Sequence, residues 1–340
     1  MKAVRYDGPN SFSIAEVPTP QPSAGEVLIK VTQAGVCGTD LHVHHGGFGA
    51  QFPLTPGHEV VGTVAALGDD SDRFRVGQQV TVNPNIPCGR CRYCLSGRTI
   101  LCENLRNIGV SLDGFFAEYA CVPEQLVFSV EGLTVETAVF TEPTACAMHG
   151  IETLDIRPGS TAAVLGSGPT GLLLAQLIAS GGASSITVAS DKAFQLEVAR
   201  ALGATNTVLM QRGDPKRNFK ALSDASGGIG FDIVVEATGA VEVGNICLPL
   251  TANGGTMLVY GVTNPEDRLA ISPYDMFRRE LTIKGSFAEM TSFGAAIDFL
   301  RAGRVHTEPI ISHRFGLDEY GTALDTIRRD PMAHKVVVTA

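Results

Sequence analysis

The chain has 340 residues, is 44% hydrophobic and 18% charged, and carries a formal net charge of −9. That length holds two domains with sizeable cores, and an acidic balance without a local Lys/Arg cluster argues against a nucleic-acid surface. No run approaches the roughly 20 apolar residues of a membrane span, the start Met1-Lys-Ala-Val-Arg5 lacks a signal-peptide core, and eight cysteines in such a chain read as reduced thiols, so a cytoplasmic protein is expected.

Residues 2–6, 13–17 and 26–32 alternate short β patterns with Pro and Gly, and 59–65 and 79–82 continue them around a polar loop at 68–77. These predict an antiparallel β region. Two histidine-bearing turns lie within it, Cys37-Gly-Thr-Asp40-Leu-His42 and Gly57-His58-Glu59. A Cys, a His and one or two carboxylates can hold a metal with one position open. Spacing does not establish that here, because a lone His after a Pro-rich turn reads as structural when taken by itself. Next comes Cys88-Gly-Arg-Cys91-Arg-Tyr-Cys94, closed by Cys102. Four thiols this close can wrap one tetrahedral zinc and leave no position for substrate, which makes a structural site. An iron–sulfur cluster is the rival; the compact loop favours zinc.

From about residue 143 the pattern changes to a helix at 143–154, then strands at 162–165, 185–189, 207–209, 231–235, 255–262 and 281–284 separated by helices. This alternation predicts right-handed crossovers and a doubly wound parallel sheet. A helix at 291–301 and a strand at 335–339 close the chain. The expected division is residues 1–145 with 286–340, and 146–285. Between the first strand and helix of the second part lies Gly166-Ser-Gly168-Pro169-Thr170-Gly171. Strand, glycine turn and helix in that order form the dinucleotide-binding context: a tight turn, a close approach by pyrophosphate, and close helix–strand packing. The helix N-terminus then faces the phosphates.

The motifs at 37–42, 56–62 and 75–80, the cysteine loop, residues 114–119, Glu142-Pro143, 166–171, Glu236-Ala-Thr-Gly239 and 335–337, in this order, resemble the zinc-dependent medium-chain alcohol and polyol dehydrogenases from end to end. Glu142-Pro143, where simple alcohol dehydrogenases carry a Cys, is similar to the sorbitol, xylitol and arabinitol branch. The resemblance implies a GroES-like β-rich catalytic domain (α/β overall) with a Rossmann cofactor domain, and two Zn²⁺ per chain. One is catalytic on Cys37, His58, Glu59 and Glu142, with Glu142 direct or water-bridged; one is structural on Cys88, Cys91, Cys94 and Cys102. It implies a metal acting as Lewis acid on a secondary hydroxyl, a proton relay from Thr39 to His42, and Asp40 behind His58. On the cofactor side it extends to Gly166, Gly168, Pro169, Thr170, Gly171, Thr238, Gly261 and Phe287. Phe48, Phe116 and Phe287 are candidates for the pocket wall, whereas His44 and His45 read as surface.

Counted back from Leu202-Gly203, the family's acidic ribose-binding position falls on Ser190, followed by Asp191 and Lys192. Ser190 with Lys192 resembles the NADP pattern and Asp191 opposes it; charge complementarity favours NADP over NAD. The expected activity is hydride transfer between NAD(P) and a secondary alcohol, a polyol/ketose pair first. The alternatives are another secondary alcohol or a hydroxy amino acid, or a non-catalytic dinucleotide-binding protein. A homodimer or homotetramer is expected, through an edge strand such as residues 256–260.

Overall fold

The computed structural model describes residues 1–340. They form two units, Met1–Ala145 with Glu289–Ala340, and Cys146–Ala288. Residues 286–288 thus fall in the second unit.

The first unit is built on the strand Glu26–Val36. Its run of Val, Leu and Ile suits a pleated surface covered on both faces. It pairs antiparallel with Glu59–Leu67, Tyr119–Pro123 and the C-terminal Lys335–Thr339, within a seven-stranded sheet. Tyr6, Ile29, Phe115, Phe116 and Tyr320 are fully buried in its core. Two of these pairings position chemistry. Gly35 lies opposite Glu59, and Val336 opposite Val36, so Lys335 arrives beside Cys37. The helix Gly38–His44 starts where the long strand ends.

The second unit is a six-stranded parallel sheet in the order Asn206–Leu209, Ser185–Ser190, Thr161–Leu165, Phe231–Glu236, Thr251–Val259, Thr282–Gly285. The central strand reads as an apolar run because helices cover both faces; Ala162 to Leu165 are completely buried. The order reverses direction between Thr161–Leu165 and Phe231–Glu236, the point at which doubly wound sheets bind ligands. One expectation is corrected here. Residues 256–260 are not an edge: Thr256 to Val259 pair with Thr282 to Gly285 on one side and with Ile233 to Glu236 on the other. The free edges are Asn206–Leu209 and Thr282–Gly285, the latter a short strand that matches the run expected at 281–284.

Candidate functional site

Cys37 is the N-cap of the helix Gly38–His44. Its Sγ accepts from the Thr39 N–H at 3.2 Å, and the Cys37 N–H donates to Asp40 Oδ2 at 2.9 Å. His58 follows a glycine with φ +100, and its Nε2 lies 3.1 Å from Cys37 Sγ. Glu59 opens the next strand. One donor atom each from Cys37, His58 and Glu59 falls within 4.8 Å of the others. His58 is 8% exposed and Glu59 2%.

The charges are arranged to hold this set together. Burial disfavours a charged imidazole at His58, but Cys37 and then Asp40 outweigh it and raise its pKa well above the usual value. Fully buried Asp40 sits with Oδ1 3.8 Å from His58 Nδ1, and burial pushes its carboxyl up to about 6. Neither of those two atoms has a hydrogen-bond partner. Lys335, 2% exposed, pairs with Glu59 Oε2; burial lowers its pKa, but Glu59 and Cys37 raise it further. Glu142, near the start of the helix Thr141–Glu152, stands outside the compact trio, yet its charge is felt by both His58 and Lys335. A cysteine sulfur, an imidazole and a carboxylate converging in a buried space suit zinc.

Sequence reasoning missed Gly35 and gave Lys335 no role. A β-carbon at Gly35 would collide with the Glu59 carboxylate and lie 2.8 Å from the Lys335 chain. Of the other expected residues, Thr39 sits in the first turn of the helix, and His42 lies a turn further on with its ring 4.9 Å from that of Phe48. Phe116 does not line a pocket: it is fully buried against Tyr320, ring to ring at 4.8 Å. His44 is not a free surface group either. It is half-buried, with Nδ1 2.8 Å from the Tyr6 hydroxyl, whereas His45 is exposed and bonded to Asn10.

The sulfurs of Cys88, Cys91, Cys94 and Cys102 also lie within 4.8 Å of one another, and none forms a disulfide. Cys91 and Cys94 are 3.6 Å apart; the edge of a zinc–sulfur tetrahedron is about 3.8 Å. Backbone N–H groups of Cys88 and Asn104 donate to Cys102 Sγ at 3.2 and 3.3 Å. N–H groups of Arg90 and Cys91 lower the Cys88 thiol to about 6, while burial and neighbouring thiols push Cys94 up to about 12.

In the second unit the three glycines of the turn divide by what requires them. Gly166 has φ +116, and a β-carbon there would lie 2.8 Å from the Ala237 carbonyl. At Gly171 it would strike the Gly166 carbonyl. At Gly168, the N-cap of the helix Pro169–Ser180, a β-carbon would meet nothing within 4 Å. The protein itself has no need of glycine at Gly168, which fits a turn whose backbone is open to close approach by a ligand. Buried Glu236 accepts from the N–H groups of Thr238 at 2.7 Å and Gly239 at 3.0 Å, which pins that neighbouring turn. A β-carbon on Gly261 would strike the Gly239 amide. Phe287 is 51% exposed. At the end of the second strand, the Ser190 hydroxyl donates to Gln195 Oε1 at 3.1 Å and accepts from the Lys192 N–H at 3.2 Å, and Asp191 pairs with Arg212 at 3.0 Å. Arg212 was not visible from sequence, since it belongs to the turn after the next strand.

Residues 23–132 match the alcohol dehydrogenase GroES-like domain, and residues 169–302 the zinc-binding dehydrogenase domain. The chain belongs to the zinc-binding medium-chain dehydrogenases. It is 39% identical to D-arabinitol dehydrogenase 1 of Uromyces fabae, over 96% of this chain and 93% of that one. It is 34% identical to D-altritol 5-dehydrogenase of Agrobacterium fabrum, over the whole of both. Among solved structures it is similar to a zinc-binding dehydrogenase from Sinorhizobium meliloti 1021 bound to NADP, with TM-score 0.93 and 36% identity over 100% of this chain and 99% of that one. It is also similar to an alcohol dehydrogenase from E. coli CFT073 complexed with NADH, with TM-score 0.91 and 29% identity over 100% and 99%.

Proposed function

We propose that the chain is a zinc-dependent dehydrogenase that passes a hydride between a polyol and NADP. The observation that carries this reading is the convergence of Cys37, His58 and Glu59 donor atoms within 4.8 Å, with Asp40 beside His58 and Lys335 beside Glu59. These three residues hold the catalytic ion, with Glu142 direct or through water. A zinc ion there supplies Lewis acidity to a secondary hydroxyl, and a nicotinamide supplies the hydride acceptor. The residues around it do the rest. Asp40 orients the His58 ring from its Nδ1 side. Lys335 neutralises one oxygen of Glu59, so that the other can face the ion. The Thr39 hydroxyl accepts the substrate proton as it gives up its own, and His42 passes a proton on to water.

Cys88, Cys91, Cys94 and Cys102 hold a second, structural zinc, which the near-tetrahedral sulfur spacing supports over a redox cluster. Polyol chemistry is supported by the arabinitol and altritol dehydrogenases among the relatives. NADP is supported by the cationic end of the second strand and by the NADP-bound structural neighbour; the NADH-bound neighbour is the opposing observation. Steady-state rates on pentitols, hexitols and L-threonine, each with NAD and NADP, test the reading. A pentitol or hexitol with NADP is expected to give the highest kcat/KM, and a strong chelator is expected to abolish turnover. Preference for the hydroxy amino acid, or turnover that survives removal of metal, would contradict it.

A further inference from the structure

We propose that Arg212, held in place by Asp191, is the guanidinium that receives the 2′-phosphate of NADP; the inference rests on the NADP reading above. Ser185–Ser190 and Asn206–Leu209 are adjacent parallel strands, with Ser190 opposite Leu209. The Met210 N–H donates to the Ser190 carbonyl at 2.8 Å. The turn that follows therefore brings Arg212 to the carboxyl end of the second strand, where a dinucleotide fold binds the adenosine ribose.

The local chemistry assigns the roles. Asp191 is the group that opposes NADP, since a bare carboxylate repels a phosphate. Here its Oδ2 accepts from Arg212 Nη2 at 3.0 Å, so its charge is already met. The Arg212 side chain is 82% exposed. An exposed ion pair of this kind contributes little to stability, so its consequence is placement. A guanidinium carries five N–H donors in a planar fork, which suits bidentate contact with a phosphate, and one contact to Asp191 leaves most of them available. The Ser190 hydroxyl is committed on both sides, to Gln195 and to the Lys192 N–H, and so shapes the turn rather than binding the ligand. Arg217, on the following helix Pro215–Ala225, is bonded to Gln211 Oε1. Lys192 follows Asp191 in sequence and adds a second cation to this end of the strand.

Calorimetric titration of the zinc-loaded protein with NADP, NAD, 2′,5′-ADP and 5′-AMP tests this without relying on turnover. Arg212→Ala is expected to weaken NADP and 2′,5′-ADP by about 10- to 100-fold, the range for losing hydrogen bonds to a charged group. NAD and 5′-AMP should stay within about twofold. Arg212→Lys, which keeps the charge but loses the fork, is expected to fall between. If the unmodified protein prefers NADP and Arg212→Ala binds it equally well, the role of Arg212 is overturned while the cofactor reading stands. If the unmodified protein binds NAD more tightly than NADP, the cofactor reading itself has failed and the inference with it. Circular dichroism of each variant, expected to match the parent, separates a local loss from unfolding.

Discussion

Lys335 and Glu59 form a nearly inaccessible ion pair beside Cys37 and His58, and Gly35 leaves the room in which it sits. Removing one member of a buried pair strands the other, at a cost of about 3–5 kcal/mol. Lys335→Met is therefore expected to lower unfolding stability in urea by that amount when the protein is metal-free; a change below about 1 kcal/mol would show that Glu59 finds another partner. Cys37 and His58 were grouped through the resemblance of their two motifs to a known family, since their spacing alone did not bring them together. Lys335 was not, because it reads as the start of an apolar strand, and only the pairing of Val336 with Val36 carries its ammonium into the site. The same holds for Arg212: its relation to Asp191 comes from the order of two strands, not from any local pattern.

The strand, turn and helix from Thr161 to Ser180 separate glycines that the fold itself requires from one that it does not. A methyl group at Gly168 meets no protein atom within 4 Å, whereas one at Gly171 strikes the Gly166 carbonyl. Gly168→Ala is expected to leave the thermal midpoint within about 1 °C while weakening dinucleotide binding by about tenfold. Gly171→Ala is expected to lower the midpoint itself, by several degrees. Equal effects on stability would remove the distinction. This half of the fold was legible because its buried strands are short apolar runs set between helices of ordinary length. The helix Gly38–His44 was not: it has seven residues, and its cap is a thiol rather than the usual hydroxyl or carboxyl group. The helix Tyr320–Arg329 does carry a signal, with Tyr320, Ala323 and Leu324 buried on one face, but its polar remainder hides it. The edge of the parallel sheet was misjudged because the long strand Thr251–Val259 reads more strongly than its short neighbour Thr282–Gly285.

At the scale of the whole molecule, that free edge has consequences for assembly. The helix Pro273–Arg279 just before it leaves Tyr274 69% and Phe277 80% exposed. An unpaired strand beside exposed aromatic side chains fits pairing across a two-fold axis. We propose that this edge carries a subunit contact: the parent is expected to run as a dimer or larger in light scattering and Phe277→Glu as a single chain; a parent that runs as a single chain, or a variant that keeps the parent's mass, would contradict it. No helix is long and apolar enough to cross a membrane.

The ion proposed at Cys37, His58 and Glu59 is buried and distinct from the one proposed for the cysteine loop. Metal analysis of the purified protein and of Cys37→Ala, with cofactor binding measured in parallel, tests that claim directly. The expected result is two zinc ions per chain in the parent and one in the variant, with turnover lost and NADP still bound. A variant that keeps the parent's zinc content and turns over at the parent's rate would contradict it.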